Sequence, residues 1–274
     1  MDKLNKTKVK RTSHSQQTII RIGNISIGEG FFTVIAGPCA LENMEQAVMT
    51  AKSVEKVGAK IFRACLFKPR TSPYSFQGIG LEGLEILKIL KQETHLLLET
   101  EILNPRHLEL FSDHVDLLRI GSRNMDNFEL LKEVGKTGMP IILKRNMSAS
   151  LEEFLFAAEY ILLEGNEQLI LCERGIRTFE PYTRNTLDIL AVPALKELTH
   201  LPIIVDPSHS TGRSSLVSSA SKAAIAAGAD GLMIEVHPNP EKALSDGQQS
   251  LNITEFASLM KDLKDLAGVL KKKM

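Results

Sequence analysis

The chain has 274 residues, with 33 basic and 33 acidic side chains and 43% hydrophobic residues. That balance excludes a general nucleic-acid or membrane-surface binder, and no apolar run approaches the ~20 residues that span a bilayer. The length suits one large α/β unit, because barrels of that class run to about 250 residues. Cys39, Cys65 and Cys172 are too few and too scattered for a disulfide framework, so a reducing, cytoplasmic setting is expected.

Residues 1–17 are basic and polar and lack an apolar stretch, which excludes a secretory signal. A disordered basic arm is expected there. Residues 18–32 hold two β-prone runs, 18–22 and 25–27, divided by Gly23-Asn24, which reads as a small hairpin. The pattern leaves open whether it plugs a barrel or begins an oligomer contact. From Phe32 a strand–helix rhythm begins. Short apolar runs at 33–36, 60–64, 96–98, 115–120, 140–144, 168–172, 202–205 and 231–236 read as strands. Amphipathic stretches at 44–57, 81–91, 105–111, 126–133, 151–163, 187–198, 216–226 and 253–270 read as helices. Strands without clear alternation have both faces buried. Such units repeated over about 240 residues predict a (β/α)8 TIM barrel, residues 18–274, with the hairpin as a short N-terminal extension. No Gly-x-Gly-x-x-Gly follows the first strand, which counts against a dinucleotide fold.

A barrel carries its site at the carboxyl ends of its strands. There the sequence places Gly37-Pro38-Cys39, then Arg63 and Lys68-Pro69-Arg70-Thr71-Ser72, then Glu99 and Glu101. Arg119 and Gly121-Ser122-Arg123-Asn124 follow, then Lys144-Arg145, Glu173-Arg174-Gly175, Asp206-Pro207-Ser208-His209 and Glu235-Val236-His237, with Asp246 beyond. Every strand sends ionisable or metal-capable groups to one end, which predicts an enzyme. Arg63, Lys68, Arg70, Arg123, Lys144 and Arg174 converge on one mouth and need anions to balance them, such as a ligand with a carboxylate and a phosphate. Some of them can instead pair with Glu101, Glu173 or Asp206. Cys39, His209, Glu235 and Asp246 form a donor set suited to a divalent transition metal with open positions. Taken alone, Cys39 reads equally well as a small buried hydrophobe, and His237 reads as a packing or supporting histidine.

Gly37-Pro38-Cys39, the loop 68–80, Gly121-Ser122-Arg123-Asn124, Glu173-Arg174-Gly175-Ile176-Arg177-Thr178, Asp206-Pro207-Ser208-His209 and Glu235-Val236-His237-Pro238 resemble the 3-deoxy-7-phosphoheptulonate (DAHP) synthases. The similarity is to the compact type I beta branch, and six motifs carry it in order from residue 18 onward. The resemblance implies a metal-dependent condensation of phosphoenolpyruvate with erythrose 4-phosphate and water, the entry to the shikimate pathway and aromatic amino-acid biosynthesis. It implies one divalent ion (Mn²⁺, Fe²⁺, Zn²⁺ or Co²⁺) on Cys39, His209, Glu235 and Asp246. It places phosphoenolpyruvate on Arg63, Lys68, Ser122, Arg123, Lys144 and Arg174. The aldose phosphate falls to Pro69, Arg70, Thr71, Ser72 and Asp206, and Glu101 matches the family's carboxylate on strand three. Lys68, Cys39 and His209 are the expected catalytic groups, and a pKa of Lys68 depressed by neighbouring cations would suit proton transfer. A homotetramer is implied, with no nucleic-acid or membrane partner. Only about 30 residues precede the first barrel strand, too few for the regulatory domains some members carry; no aromatic feedback through such a domain is expected. The nearest rival is the sister 3-deoxy-manno-octulosonate 8-phosphate synthase, which takes a pentose phosphate and carries an Asn-containing loop where Lys68-Pro69-Arg70-Thr71-Ser72 stands here.

Overall fold

The computed structural model describes residues 2–14 and 16–274. Two short strands, β1 (Ile20–Ile22) and β2 (Ile25–Ile27), pair antiparallel across Gly23-Asn24. Eight strands follow: β3 (Thr33–Gly37), β4 (Ile61–Arg63), β5 (Leu97–Glu101), β6 (Leu117–Ile120), β7 (Ile141–Lys144), β8 (Leu169–Glu173), β9 (Ile203–Val205) and β10 (Gly231–Glu235). They pair parallel in chain order, and β10 closes on β3 with Gly231 opposite Thr33 and Glu235 opposite Gly37. The helices are α1 (Met44–Lys56), α2 (Leu84–Glu93), α3 (Leu108–Ser112), α4 (Phe128–Gly135), α5 (Leu151–Leu163), α6 (Ala191–Leu198), α7 (Pro207–Thr211), α8 (Ser214–Ala226) and α9 (Ile253–Val269). The predicted (β/α)8 barrel is therefore present. Among the described residues no helix is long and apolar enough to cross a membrane.

Strand burial explains the missing alternation. Both faces of each barrel strand are buried, but against different partners. Val34, Phe62, Leu118, Leu143 and Leu171 pack outward with the helices in one cluster. Ile35, Ile61, Leu117, Ile142, Ile170, Cys172, Ile204 and Met233 pack inward in a second. Ile20, Ile22, Ile25 and Ile27 of the hairpin belong to that inner cluster. The hairpin is thus the apolar stopper at the strand-start end, which resolves the alternative the sequence left open about the barrel.

The expected disordered arm is corrected over its described part. Val9 is fully buried and Leu4 nearly so. The backbone N–H groups of Lys8 and Val9 donate to the two carboxylate oxygens of Glu159 at 2.9 Å each. Lys10 bridges Thr199, and the His14 ring stacks on His200. Met1 and Ser15 lie outside the described residues. Two apolar anchors in a polar sequence, satisfied by one buried carboxylate on α5, hold this stretch against the barrel.

Candidate active site

The loop after β4 is stapled by its own backbone. Lys68 N–H donates to Gln77 O at 2.8 Å, and Gly80 N–H to Leu66 O at 3.0 Å. At Gly78, φ is +96° and a Cβ would lie 2.2 Å from Leu66 O, so only glycine allows the chain to fold back here. The fold-back aims Lys68 and Arg70 across the mouth. Gly121 serves a different need: a Cβ there would sit 2.0 Å from Glu101 Oε1. Its bare backbone makes room for that carboxylate.

Asp206-Pro207-Ser208-His209 is a helix start in which each polar residue has a use. Asp206 caps α7 by accepting from His209 N–H at 2.8 Å, and Pro207 occupies the first helical position, where its missing N–H costs nothing. Ser208 Oγ accepts from Glu235 N–H at 2.9 Å, tying α7 to the end of β10. Asp206 also accepts from His209 Nδ1 at 2.8 Å. That bond places the ring proton on Nδ1 and leaves Nε2 as a bare donor atom, 3.4 Å from Glu235 Oε1. Burial lowers the His209 pKa to about 3 against the pull of Asp206 and Glu235, so the ring is neutral at neutral pH.

Ligand atoms of Cys39, Glu235 and Asp246 all lie within 4.8 Å of one another. Cys39 Sγ is 3.2 Å from Asp246 Oδ2. Burial pushes the Cys39 thiol up, helped by Glu235 and Asp246 and opposed by Lys68 and Arg63. Burial works against ionisation of Glu235 and Asp246, yet the surrounding His209, Lys68 and arginines hold both below the usual carboxylate value. Glu235 Oε1 is buried with no hydrogen-bond partner. Asp246 adopts φ +50°, a backbone conformation uncommon outside glycine. The thiol and two carboxylates come together as expected; the bare His209 nitrogen stands beside Glu235 but outside that group of three, and the donor types fit a divalent transition metal.

Two cavities that share Lys68 adjoin this cluster, and a third, lined by Arg70 and Asp246, also touches it. The first, about 140 Å³, is walled by Lys68, Ser122, Arg123, Lys144, Arg174 and Arg177, with Glu101, Arg119 and His209 also on it. The second, about 220 Å³, is walled by Arg70, Thr71, Ser72, Ser75 and Asp246. Lys68, Pro69, Arg123 and Arg184 line both. Arg174 Nε and Nη1, and Arg70 Nη1, are buried without a hydrogen bond, and Arg70 Nη1 faces only Asp246 Oδ1, 3.7 Å away. Guanidinium groups left in that state call for an anion.

Two of the expected substrate residues stand elsewhere. Arg63 is fully buried below the mouth, 3.1 Å from Glu235 Oε1, and lines neither cavity; Nε, Nη1 and Nη2 all lack an aligned hydrogen bond. Asp206, expected beside the aldose phosphate, also lines neither cavity. Its carboxylate is taken up by His209 and by Lys144 Nζ. Of the pairings considered from sequence, that of Lys144 with Asp206 is present, whereas the other two carboxylates pair with arginines outside the six cations. Glu101 binds Arg119 Nη1 at 2.8 Å, and Glu173 binds Arg145 Nη1 at 2.8 Å. The depressed pKa expected for Lys68 is not found. Burial lowers it, but Cys39, Glu235 and Asp246 outweigh burial and raise it. Of the two lysines on the first cavity, Lys144 is the one whose pKa falls, through burial, with Asp206 opposing.

Arg184, Asn185, Met147 and Gln249 were not singled out by the sequence reading. Arg184 and Asn185 are held by backbone bonds to Thr211 and Ser210 of α7 at 3.1 and 2.8 Å. Gln249 is fully buried and donates to Glu235 Oε2 at 2.7 Å. The available signal was a second arginine, Arg184, in the long loop after β8, ten residues past Arg174.

Residues 7–271 match the family model of the DAHP synthetase I family. The chain belongs to that family. It is 50% identical over 262 residues to a phospho-2-dehydro-3-deoxyheptonate aldolase of Thermotoga maritima, covering 96% of this chain and 78% of that protein. A 2-dehydro-3-deoxyphosphooctonate aldolase of Geobacter sulfurreducens is more distant, 30% identical over 271 residues, covering 92% of this chain and 98% of that protein. The crystal structure of the Thermotoga DAHP synthase superposes with a TM-score of 0.94 at 49% identity, over 97% of this chain and 78% of that one. A truncated form of the Thermotoga synthase gives 0.90 at 46% identity, over 97% of each chain. The chain is thus a DAHP synthase, an aldolase-type enzyme that forms a carbon–carbon bond, and its mouth is read below in that light.

Proposed function

We propose that this synthase joins phosphoenolpyruvate to erythrose 4-phosphate with water, releasing phosphate and 3-deoxy-D-arabino-heptulosonate 7-phosphate, as the first step of the shikimate pathway. The observation that carries this reading is the pair of adjoining cationic cavities that share Lys68, Pro69, Arg123 and Arg184. The first suits a small frame bearing both a carboxylate and a phosphate, held by Ser122, Arg123, Lys144 and Arg174 with Arg63 beneath. The second suits the phosphate of an aldose, met by Arg70, Thr71 and Ser72. Two substrates that abut at one lysine lose their relative freedom before they react, which lowers the barrier to joining them.

Cys39, His209, Glu235 and Asp246 would hold one divalent ion, which when bound supplies Lewis-acid polarisation of the aldehyde. The enol carbon of phosphoenolpyruvate forms the new bond to the aldehyde carbon. Lys68, on both cavities, donates the proton that the aldehyde oxygen acquires. Water adds at the adjacent, phosphate-bearing carbon; one of its protons restores Lys68 and the other leaves with the phosphate as the carbon–oxygen bond breaks and the ketone forms. Glu101, fixed by Arg119, orients that water from the wall of the first cavity. Arg123, Lys144 and Arg174 hold the departing phosphate.

The same reading makes the enzyme cytoplasmic, supported by three free, buried cysteines, and homotetrameric, as the family resemblance implies. The rival aldose is a pentose phosphate. Phosphate release is measured with each aldose plus phosphoenolpyruvate, before and after EDTA and after Mn²⁺ addition. The reading expects turnover with erythrose 4-phosphate, lost with EDTA and restored by Mn²⁺. Equal or faster turnover of the pentose phosphate overturns it.

A further inference from the structure

We propose that Gln249 is a positioning residue: it decides which oxygen of Glu235 faces the metal and links that oxygen to Arg184. The inference rests on reading Cys39, His209, Glu235 and Asp246 as the metal ligands.

Asp246 and Gln249 begin and end one turn. Gly247–Gln249 is a 3-10 turn with Asp246 at its N-cap, and Gln249 N–H returns to Asp246 O at 3.2 Å. With three residues per turn, positions i and i+3 eclipse, so both side chains leave the turn on one side. The turn is pinned to the end of β10: Leu251 N–H donates to Glu235 O and His237 N–H to Leu251 O, each at 2.9 Å. At Gly247 a Cβ would lie 2.1 Å from Pro240 O, so the turn has no slack. One short segment therefore presents a metal donor and, beside it, a fully buried amide.

The amide has one workable orientation. Nε2 donates to Glu235 Oε2 at 2.7 Å, and Oε1 accepts from Arg184 Nη1 at 2.9 Å. Reversal would set a carbonyl against a carboxylate and an NH₂ against a guanidinium. Glu235 Oε2 is thereby occupied. Oε1 has no aligned hydrogen bond; it stands 3.1 Å from Arg63 Nη2 and 3.4 Å from His209 Nε2. The amide thus reserves one oxygen for the ion and withdraws the other. Without it, Oε2 of a buried carboxylate loses its one hydrogen bond, and only the Arg63 contact on Oε1 still restrains the group. Arg184 lines both anion cavities, so an anion that draws Arg184 away also loosens the partner that orients Gln249.

Groups that orient a metal ligand typically contribute 10–100-fold to metal affinity. The test is calorimetric titration of Mn²⁺ into metal-stripped wild-type chain, Gln249→Glu and Gln249→Met, with thermal unfolding of each metal-free protein alongside. The expected result is about 10–100-fold weaker Mn²⁺ binding in both variants, with the metal-free Met variant still unfolding cooperatively, at a somewhat lower midpoint because Glu235 Oε2 loses its donor. Should the Glu variant fail to fold, the apolar, near-isosteric Met variant carries the test. Wild-type affinity in the Met variant overturns the role of Gln249 and leaves the metal reading standing. A wild-type chain that takes up no Mn²⁺ sinks the metal reading and this inference with it.

Discussion

The two ends of one set of strands do opposite work. Near the strand starts, the inward positions are Ile61, Leu97, Leu117, Ile142, Ile204 and Met233, closed over by the hairpin isoleucines. Two residues further along the same strands, roughly 6–7 Å away, stand Arg63, Glu99, Arg119, Lys144, Asp206 and Glu235, all buried. The lower layer stabilises through apolar area removed from water. The upper layer costs desolvation and recovers it only through pairing. The barrel thus keeps stability and chemistry one inward step apart, and substitutions in the two layers should separate the two properties.

Lys68→Ala removes the proposed proton donor shared by the cavities, and kcat should fall about 10²–10⁴-fold with the unfolding midpoint little changed. Steady-state kinetics and a melting curve on the same sample check this. Arg119→Met, still in the upper layer, should cost both properties. It strands Glu99, which Arg119 Nε holds at 2.7 Å, and Glu101. A loss of about 3–5 kcal/mol in urea unfolding is expected, because breaking one partner out of a buried ionic set leaves uncompensated charge. Replacing Glu99, Arg119 and Glu101 together by Leu, Met and Leu should recover stability without recovering turnover. In the lower layer, Ile142→Ala should cost about 2–5 kcal/mol by cavity formation and leave both KM values alone.

A smaller effect follows from pH. Burial works against the ionised Glu101, but Arg119, Lys68 and Lys144 outweigh it and lower its pKa. The folded state then holds this proton less readily than the unfolded chain does. Its contribution is fully present above the unfolded value of about 4.3 and is lost as pH falls through the folded one. Glu101→Gln should therefore flatten the fall in stability below that pH. Urea midpoints across a pH series test it; an unchanged acid limb would mean that Glu101 is not the group responsible.

The barrel was legible because eight apolar runs alternated with amphipathic ones. The inner step from Ile61 to Arg63, or from Ile142 to Lys144, was also present in the letters. It was masked because the outward neighbours Phe62 and Leu143 are equally apolar, buried against helices. The mouth was legible because charges cluster after the strands. Their division was not: Arg63 and Asp206 read like Arg123 and Arg174, and only depth separates a buried brace from a cavity wall. Val9 and Leu4 looked like strays in a polar arm, since the carboxylate that receives that backbone, Glu159, lies 150 residues away from Val9. Gln249 was hidden because an amide carries no charge to mark it.

The central claim is that two adjoining cavities each take one substrate, and the cross-comparison of Arg70→Ala with Arg174→Ala tests it most directly. Arg70 lines only the second of these cavities and Arg174 only the first. Arg70→Ala should raise KM for erythrose 4-phosphate at least about 10-fold, as loss of a charged hydrogen bond worth about 1.5–3 kcal/mol implies, and leave that for phosphoenolpyruvate near wild type. Arg174→Ala should do the reverse. Both variants raising both KM values by similar factors would contradict the account.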